Sequence, residues 1–413
     1  MSNTFINPSI VAKEALVQLE NNCVMGNLVH RGYEKEFSNT SNGYKVGSSV
    51  TIKAPVYFRV KTGATIDTVE LREEDTTFTV STREHVAWPI TSQEMTQNID
   101  KFSERFIQPA MQALADKIDR TLLQLYQNVP NQVGTPGVTP QNFLTFAQAK
   151  AVLMDHACPQ DNLYCVIDPW AEAYLKDNLK GVFNQTMSED IIRRGNLGTS
   201  LAGFRMYTSQ NVNTHTCGTA AGLTTNLYDD TFAEGDTTLN IDQNGSWSGT
   251  FTAGDIFTVA SVNGVNPVNG QSTGRARQFV VTTATSGDAT DVTPVIIPGL
   301  APWQLYSSAA TETTLPYQNI SAAPADNAAV TVAGSASLAH KVNLAFHKNA
   351  LGLCMVPLEM PASASWKAQM SENGYSIRVI RDYDVINDQE YIRFDVLYGV
   401  KVLNPFMACR IAG

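Results

Sequence analysis

The chain has 413 residues, of which 43% are hydrophobic and 16% charged, a globular balance with length for about two or three domains. No apolar run is long enough to span a membrane, and the N-terminus lacks the basic start and apolar core of a signal peptide. The six cysteines are scattered without a CxxC pair. We therefore expect reduced thiols in a protein made in the cytosol, without a disulfide framework or a zinc knuckle.

The net charge of −10 is distributed unevenly along the chain. Between Gly218 and Gly334 there are two basic residues and ten acidic ones, which gives that segment a charge of −8. The remainder of the chain carries only −2. A composition shift this sharp marks a domain boundary, and it argues against a nucleic-acid-binding groove in the acidic segment.

The first predicted element is an N-terminal helix that begins at Pro8. Its apolar residues recur every four positions from Val11 to Cys23 and form one face, which must pack against a distant part of the chain. Residues 40–90 follow as an extended β arm, in which two alternating stretches flank a charged, turn-rich segment. Because a two-stranded arm is marginal alone, we expect it to be stabilised on another chain.

The strongest helical pattern runs from Ile99 to Gln127, where apolar residues form one continuous stripe. Pro109 lies inside this helix and predicts a kink or a break. Residues 140–212 indicate an α/β arrangement, with helices predicted at 143–154, 170–179 and 188–194 and strands at 163–167 and 203–209.

Residues 213–337, which contain the acidic segment, are rich in Thr, Gly, Asn and Val and predict many short strands, as in a small barrel or sandwich. Within it we expect turns at Ala253-Gly254-Asp255 and at Asn263-Gly264. The α/β style resumes near Lys341, and the C-terminal part predicts long strands around a turn at Asn387-Asp388. A β excursion that leaves one domain and returns to it indicates domain insertion.

The sequence patterns do not assemble into an active site. The stretch "GSWSG" at 245–249 has Trp247 where a nucleophile elbow needs serine, and no phosphate-binding glycine loop follows a predicted strand. Two groups of metal-binding residue types lack the paired spacing of a structural zinc site: His156 with Cys158 and Cys165, and His215 with Cys217. We therefore predict no catalytic residue, no cofactor and no metal.

Charged residues in two turn-rich segments are candidates for contacts with another subunit. The first group forms either a solvated turn or a salt-bridging tip of the β arm: Arg72, Glu73, Glu74 and Asp75. The second group is a pair of isolated positive charges in the acidic segment, which either keep a hairpin soluble or meet an acidic partner: Arg275 and Arg277.

Five stretches stand in an order that is specific to one family: "ERFIQPAMQALADKID" (104–119), "GFRMYTSQNVNTHTCG" (203–218), "FTAGDIFTVASVNGVNP" (251–267), "STGRARQFVVT" (272–282) and "RFDVLYGVKVLNPFMACRI" (393–411). In this order they resemble the coat-protein family of phage P22, whose members have the Hong Kong 97 capsid fold. The resemblance spans essentially the whole chain.

The resemblance implies an α+β fold with a long spine helix and an inserted small all-β barrel. The implied domains are an N-terminal arm (1–39), an extended β loop (40–90), the spine helix and peripheral domain (91–149), an axial α/β domain (150–212), the inserted domain (213–337) and a return to axial and peripheral strands (338–413). The inserted domain would aid subunit folding and carry a loop across a local two-fold axis, at or near Asn269 to Arg277.

The family implies that the protein is no enzyme but the major capsid protein of a tailed bacteriophage. Copies would form pentamers and hexamers of an icosahedral shell, first a procapsid and then an expanded head, which would enclose double-stranded DNA without sequence-specific binding. Further partners would be a separate scaffolding protein and a portal protein, with no membrane. The N-terminal arm begins at once, so a cleaved scaffolding segment is not expected. Assembly would take place in the host cytoplasm, and the product would be the virion.

Two alternatives remain open. A secreted β-sandwich protein that binds or hydrolyses carbohydrate predicts a signal peptide, clustered exposed aromatics and a pair of carboxylates, which the sequence does not show. Another virion component, such as a tail or decoration protein, does not predict the long helix. Fold alone does not fix function, so the order of the motifs over the whole chain carries the capsid interpretation.

Overall fold

The computed structural model shows a mixed α/β chain that forms two compact units. The first unit comprises Met1–Ile52, Asp75–Leu122 and Leu351–Lys401, and the second comprises Lys53–Glu74, Leu123–Ala350 and Val402–Gly413. The structure describes residues 8–34, 37, 40–41, 44–45, 47–53, 58, 62–64, 75–91, 103–179, 200–222, 227–228, 238–242, 249–286, 293–296, 318–364, 366–385, 387 and 389–413. Within these ranges, no helix has both the length and the apolar character of a membrane span.

The helices and strands have the following bounds. The α-helices are α1 (Pro8–Asn22), α2 (Met25–Leu28), α3 (Gln108–Gln124), α4 (Phe143–Asp155) and α5 (Pro169–Leu179), with a π-helical turn at Ser103–Ile107 and 3-10 turns at Leu125–Asn128, Lys348–Ala350 and Pro405–Met407. The strands up to the acidic segment are β1 (Thr40–Ser41), β2 (Tyr44–Lys45), β3 (Ser49–Lys53), β4 (Asp75–Thr79), β5 (Thr82–Thr91), β6 (Gln132–Val133), β7 (Leu163–Ile167), β8 (Arg205–Thr208) and β9 (Thr214–Thr216).

The strands of the acidic segment are β10 (Leu227–Tyr228), β11 (Thr238–Asp242), β12 (Thr250–Phe251), β13 (Ile256–Val265), β14 (Ser272–Val280), β15 (Thr285–Ser286), β16 (Thr293–Ile296) and β17 (Val330–Val332). Those that follow it are β18 (Ala339–His347), β19 (Leu351–Met355), β20 (Trp366–Glu372), β21 (Tyr375–Asp384), β22 (Gln389–Val402) and β23 (Ala408–Ala412).

The second unit contains a six-stranded mixed sheet in the order β6-β23-β18-β7-β8, with β9 paired to β18. The interior strand β7 is buried at every position, as a strand covered on both faces must be. The core beside it combines residues of α4, α5 and the sheet, among them Phe146, Leu175 and Phe204. Asp168 accepts a hydrogen bond from the Trp170 amide (3.0 Å) and starts α5 at Pro169, as predicted. The helix predicted at 188–194 lies outside the described residues.

The acidic segment is built from short strands, as its composition predicts. Its described strands form sheets in the orders β14-β13-β17, β10-β11-β16 and β12-β15. A hydrophobic cluster separate from that of the six-stranded sheet includes Phe251, Phe257, Phe279 and Val330. The rings of Phe257 and Phe279 stack with their centroids 5.6 Å apart. The segment therefore buries apolar side chains of its own.

One predicted turn in this segment is wrong. Strand β13 continues through Asn263-Gly264, and Asn263 lies opposite Ala276 after an irregularity in the register. The chain turns instead at residues 266–271, where the Asn266 side chain accepts hydrogen bonds from the amides of Val268 (2.9 Å) and Asn269 (3.2 Å). The extended pairing of β13 with β14 outweighs the small turn preference of one dipeptide. The turn predicted at Ala253-Gly254-Asp255 is confirmed.

The first unit is organised around a five-stranded sheet in the order β19-β22-β21-β20, with β5 paired to β22. Helix α1 packs against β20 and β21 and buries Val11, Ala15 and Leu19, so the partner that its predicted apolar face requires is this sheet. In the predicted β arm, β3 and β4 pair with each other. Strand β5, which we placed in the arm, pairs with β22 from Thr82 to Thr91 instead.

The predicted long helix is interrupted near Pro109, as expected. A π-helical turn, Ser103–Ile107, leads into α3, and Pro109 lies in the first turn of α3, where its missing N–H is tolerated. Ala110, Leu114 and Ile118 of the predicted stripe are buried, while Phe106 is partly exposed. Residues 99–102 at the predicted start lie outside the described residues.

Asp119 on α3 is a buried carboxylate that fixes the N-terminal region within the first unit. It is 1% exposed and accepts hydrogen bonds from the amides of Val24 (2.7 Å) and Gly26 (3.2 Å), at the start of α2. The negative charge lies at a helix N-terminus, where unpaired amides favour it. Burial nevertheless raises the pKa of Asp119 from 3.8 to about 6, and the hydrogen bonds from α2 oppose that rise only in part.

A second buried carboxylate of the first unit shows the opposite shift. Asp395 is bonded by Arg378 (Nη2 to Oδ2, 2.7 Å) and by Arg393 (Nε to Oδ1, 2.8 Å). Burial alone would raise its pKa, but the hydrogen bonds and charges of the two arginines hold the pKa of Asp395 below its usual range. The two carboxylates differ because Asp395 has cationic partners whereas Asp119 is bonded by neutral amides.

We expect Asp119 to make the first unit less stable as the pH rises. Its pKa is higher in the folded state, so its contribution is complete below about pH 3.8 and declines as the pH passes through 6. Relative to Asp119→Asn, the wild-type free energy of unfolding should therefore fall by about 1–3 kcal/mol between pH 4 and pH 7. Urea denaturation at both pH values measures this difference. Parallel pH profiles of the two proteins would contradict it, and Glu372→Gln, an exposed change in the same unit, is the control.

Candidate functional site

The acidic segment begins and ends side by side in the second unit. Strands β9 and β18 flank it in sequence and pair antiparallel, with Thr216 opposite Ala339. The next residue, Cys217, donates its amide to the carbonyl oxygen of Leu338 (3.0 Å). We call residues 218–337, between these two strands, the β module. The module is attached to the six-stranded sheet through two neighbouring strands.

A buried carboxylate lies where the β module meets these strands. Asp255 follows the turn before β13 and is 1% exposed. It accepts hydrogen bonds from the amides of Thr252 (2.7 Å) and Gly218 (3.1 Å) and from Nε2 of His215 on β9 (2.9 Å). A Cβ atom at Gly218 would overlap the carbonyl oxygen of Thr250, so the close approach requires glycine. One side chain thus binds the first residue of the module, its turn and the adjoining strand.

The far side of His215 is bound by the aromatic residue that follows α3. The Tyr126 hydroxyl lies 3.2 Å from Nδ1 of His215, and both side chains are buried. With a proton on Nε2 and none on Nδ1, the imidazole donates to Asp255 and accepts from Tyr126, so this tautomer satisfies both ring nitrogens. Burial raises the pKa of Tyr126, which therefore keeps its proton and donates. These three residues, Asp255, His215 and Tyr126, together with Arg410 of β23, form what we call the buried junction.

Arg410 on β23 supplies the positive charge of the junction. It is 1% exposed; its Nη1 donates to the carbonyl oxygen of Gly254 (2.6 Å) and its Nε to that of Val129 (2.8 Å). Its guanidinium carbon lies 5.2 Å from the centre of the Tyr126 ring. Burial lowers the pKa of Arg410 to about 10, with Tyr126 and Asp255 opposing the shift, so it remains charged at neutral pH. The C-terminal strand is thereby hydrogen-bonded to the turn of the β module.

The junction also brings together residue types that bind metals. The ligand atoms of His215, Cys217 and Asp255 all lie within 4.8 Å of one another. Burial, with Asp255 adding, raises the pKa of the Cys217 thiol to about 11, so it is protonated at neutral pH. Its Sγ lies 3.8 Å from Nδ1 of His340. Since the imidazole and the carboxylate are already hydrogen-bonded, the geometry is that of a structural junction.

Sequence reasoning did not find most of this junction. His215 and Cys217 were noticed as neighbours, but their partners Asp255, Tyr126 and Arg410 come from distant positions. The only local signal was the Gly254-Asp255 turn, which predicts a bend and gives no sign that the carboxylate is buried.

The predicted contact residues are found in different surroundings. Arg72, Glu73 and Glu74 lie outside the described residues, and Asp75 is exposed at the start of β4. In β14, Arg275 is exposed, whereas Arg277 is buried, with its guanidinium carbon 4.6 Å from the centre of the Phe406 ring. Their role in contacts between subunits stays a prediction.

The sequence was compared with protein families and the structure with solved structures. The family model described as "P22 coat protein - gene protein 5" matches residues 2–413. The chain belongs to the P22 coat protein family. It is thus a coat protein of a tailed phage, a virion component that assembles with copies of itself into a shell, as the resemblance predicted. A search of curated proteins finds no match.

Similar solved structures include capsids of phages. The structure named Mycobacterium phage Che8 is 13% identical, covers 94% of this chain and 90% of its own, and has a TM-score of 0.49. The capsid of cyanophage P-SCSP1u is 11% identical, with coverages of 89% and 83% and a TM-score of 0.45. The capsid of Ralstonia phage GP4 is 8% identical, with coverages of 93% and 86% and a TM-score of 0.46. These likenesses are distant, and membership of the P22 coat protein family rests on the sequence match.

We expect Asp255→Asn to destabilise the β module in this coat protein. The amide removes the charge that His215 bonds and turns an NH₂ group toward amide donors, which leaves buried groups unsatisfied. The free energy of unfolding should fall by about 2–4 kcal/mol. Chemical denaturation, with thermolysin digestion to locate the loosened region, measures the effect. Asp326→Asn, an exposed change in the same module, should alter the free energy by less than about 0.5 kcal/mol. Equal losses in the two variants would contradict the prediction.

Proposed function

We propose that this coat protein forms pentamers and hexamers that close into an icosahedral shell. The shell would form first as a procapsid and then expand around double-stranded DNA as the head of the phage. The observation that carries this proposal is the match of the P22 coat protein family over residues 2–413. A shell-forming role also accounts for a chain in which the recognised motifs carry no catalytic chemistry, and we propose that the protein is no enzyme.

We propose the Hong Kong 97 arrangement for the subunit. Helix α3 would be the spine, β3 and β4 the described part of the extended loop, and the six-stranded sheet the axial domain. The pairing of β3 with β4, apart from the larger sheets, supports a projecting loop. The pairing of β5 with β22 supports a peripheral domain that combines residues before the spine with C-terminal strands.

We propose that the β module is the inserted domain of this arrangement and that it stabilises the subunit. Its own hydrophobic cluster and its attachment through the paired strands β9 and β18 support insertion. The buried junction supports the stabilising role. Arg410, on β23 of the six-stranded sheet, donates to the carbonyl oxygen of Gly254 in the module, and Tyr126 donates to His215 on β9.

We propose three further partners: a scaffolding protein that organises the procapsid, a portal protein, and DNA enclosed without sequence-specific contacts. The charges support weak contact with DNA, since the chain carries −10 and the acidic segment −8. A shell of many basic copies would bind phosphate groups at every contact. Assembly would take place in the host cytoplasm.

The proposal is tested by assembling the purified chain with a scaffolding protein of the family. Electron microscopy should show closed shells with pentameric and hexameric capsomers, and small monodisperse oligomers would contradict it.

A charge reversal tests the proposed tip of the β arm in the same assay. If Glu73 and Glu74 form salt bridges with basic groups of a neighbouring subunit, the double variant Glu73→Lys, Glu74→Lys places like charges in that interface, and like charges repel. The double variant should lower the yield of shells at least severalfold without changing the unfolding midpoint. Asp326→Lys is the matched charge reversal. An unchanged yield for the double variant would remove the tip of the arm from the interface.

Deletion of the module tests its proposed role. Because Cys217 and Leu338 are hydrogen-bonded neighbours, a short Gly-containing turn can replace residues 218–337 without moving β9 or β18. We expect the shortened chain to give less soluble protein and to unfold at a lower temperature, since Arg410 loses its acceptor on Gly254. Circular dichroism melting of both chains measures this. A shortened chain that melts at the wild-type temperature would refute a stabilising role.

A further inference from the structure

A cleft in the second unit lies between β14 of the β module and the end of α4. Its volume is about 250 Å³, enough for a small anion or an inserted side chain but small for a larger ligand. Polar and charged residues line it, among them Gln148, Asp155, His156, Arg275, Arg277 and Gln278. Arg275 and Arg277 are two positions apart in β14, so their side chains share one face of the strand.

Arg277 is a buried cation with unused donors. It is 2% exposed, and its only hydrogen bond in the described part of the chain is a long one, 3.5 Å from Nη1 to Nε2 of His156. Its Nε and Nη2 are buried without a hydrogen-bond partner. In the ranges that the structure describes, no carboxylate forms an ion pair with it. The guanidinium rests instead on the rings of Phe406 (4.6 Å) and Phe279 (5.6 Å).

The aromatic contacts do not offset the burial of this charge. The attraction of a cation to an aromatic face is modest. It is smaller than the free energy that a cation loses when it is buried without a partner, which is why buried charges are ordinarily paired. Burial lowers the pKa of Arg277 to about 9, and no acidic group opposes that shift, but the side chain still carries its charge at pH 7. The site is therefore short of one negative charge.

The other titratable groups of the cleft do not supply that charge to Arg277. Desolvation, with the positive charge of Arg277 adding, lowers the pKa of His156 to about 3, so the imidazole is neutral. Asp155 lines the cleft but lies beyond ion-pair distance of both arginines. Arg275, exposed on the same face of β14, adds a second positive charge. The lining carries two cations and one carboxylate.

We propose that this cleft is an oxyanion-binding site, in which Nε–H and Nη2–H of Arg277 hold the ligand as a fork and Arg275 attracts it at the mouth. The side of a guanidinium that presents Nε and one Nη matches two oxygens of a carboxylate or a phosphate. The ligand can come from two sources: a free inorganic oxyanion, or a carboxylate side chain of a neighbouring copy in the shell. The site itself does not depend on the proposed shell; only its second source does.

The experiment uses inorganic phosphate as the probe, with chloride at equal ionic strength as the reference. Phosphate should bind the purified wild-type chain in a calorimetric titration and raise its melting temperature. Arg277→Met, which replaces the cation by an apolar side chain, should weaken binding at least about tenfold, as the loss of a charged bidentate contact predicts. Its melting temperature without phosphate should not fall, since the uncompensated charge is removed.

Two further variants keep the test decisive. Arg275→Gln leaves the fork intact and should weaken binding by about threefold, the size of a partly screened charge. Arg205→Gln makes the same change of charge on an exposed residue outside the cleft and should leave binding unchanged. The proposal is overturned if the wild-type chain binds phosphate no better than Arg277→Met, or if Arg205→Gln weakens binding as much as Arg277→Met does.

Assembled shells distinguish the two sources of the ligand. If a carboxylate of a neighbouring copy fills the cleft, phosphate binding is lost on assembly and Arg277→Met lowers the yield of shells. If a free oxyanion is the ligand, phosphate binds the shell as it binds the subunit. The phosphate titration of the unassembled chain does not depend on shell formation. A chain that fails to assemble therefore contradicts the proposed function without contradicting the oxyanion site.

Discussion

Asp255 places a negative charge in the interior of the second unit, and the chain around it is arranged to satisfy that charge. Its partners are the Gly218 amide at the start of the β module, the Thr252 amide in the turn and His215 on β9. The energetic cost of a buried carboxylate without partners is several kcal/mol, so these bonds are obligatory in the folded state. The positions of the turn, of the first residue of the module and of the adjoining strand are therefore coupled through one side chain.

Two buried arginines, Arg410 and Arg277, place positive charges in the same unit, and these charges also need hydrogen-bond partners. Arg410 donates to the carbonyl oxygens of Val129 and Gly254 and lies near the charge of Asp255, so its positive charge is largely accommodated within the chain. Arg277 has aromatic faces and a neutral imidazole beside it, but two of its nitrogens lack an acceptor. In a coat protein, a charge that the subunit leaves unsatisfied is a place where a neighbouring copy or an ion adds binding free energy.

The local parts of the fold were predictable from the sequence because local periodicity encodes them. The apolar face of α1, the interruption at Pro109 and the buried strand β7 all follow from residues within a few positions of one another. Partners were less predictable: the pattern of residues 40–90 predicts extended strands, and it does not say that β5 pairs with β22. The Asn263-Gly264 turn failed because strand pairing on both sides of it outweighs a dipeptide preference.

The buried junction was beyond sequence reasoning for the same physical reason. Arg410 and Gly254, which share a hydrogen bond, are 156 positions apart, and no spacing rule connects them. A histidine and a cysteine two residues apart could be noticed, but the carboxylate that bonds His215 comes from Asp255, just before β13. The family, by contrast, was accessible because the order of several motifs along the whole chain is more specific than any one of them.

The pairing of β9 with β18 also has a kinetic consequence. Cys217, which follows β9, and His340 on β18 are 123 positions apart, so joining these strands closes a long loop. If the module were unfolded at that moment, the entropy of the whole loop would oppose the pairing; a module that has folded first brings its two ends together and shortens the effective loop. The order of events during synthesis favours this sequence, since residues 218–337 leave the ribosome before β18 is available. We therefore expect the β module to fold before the six-stranded sheet gains its central strand, β18.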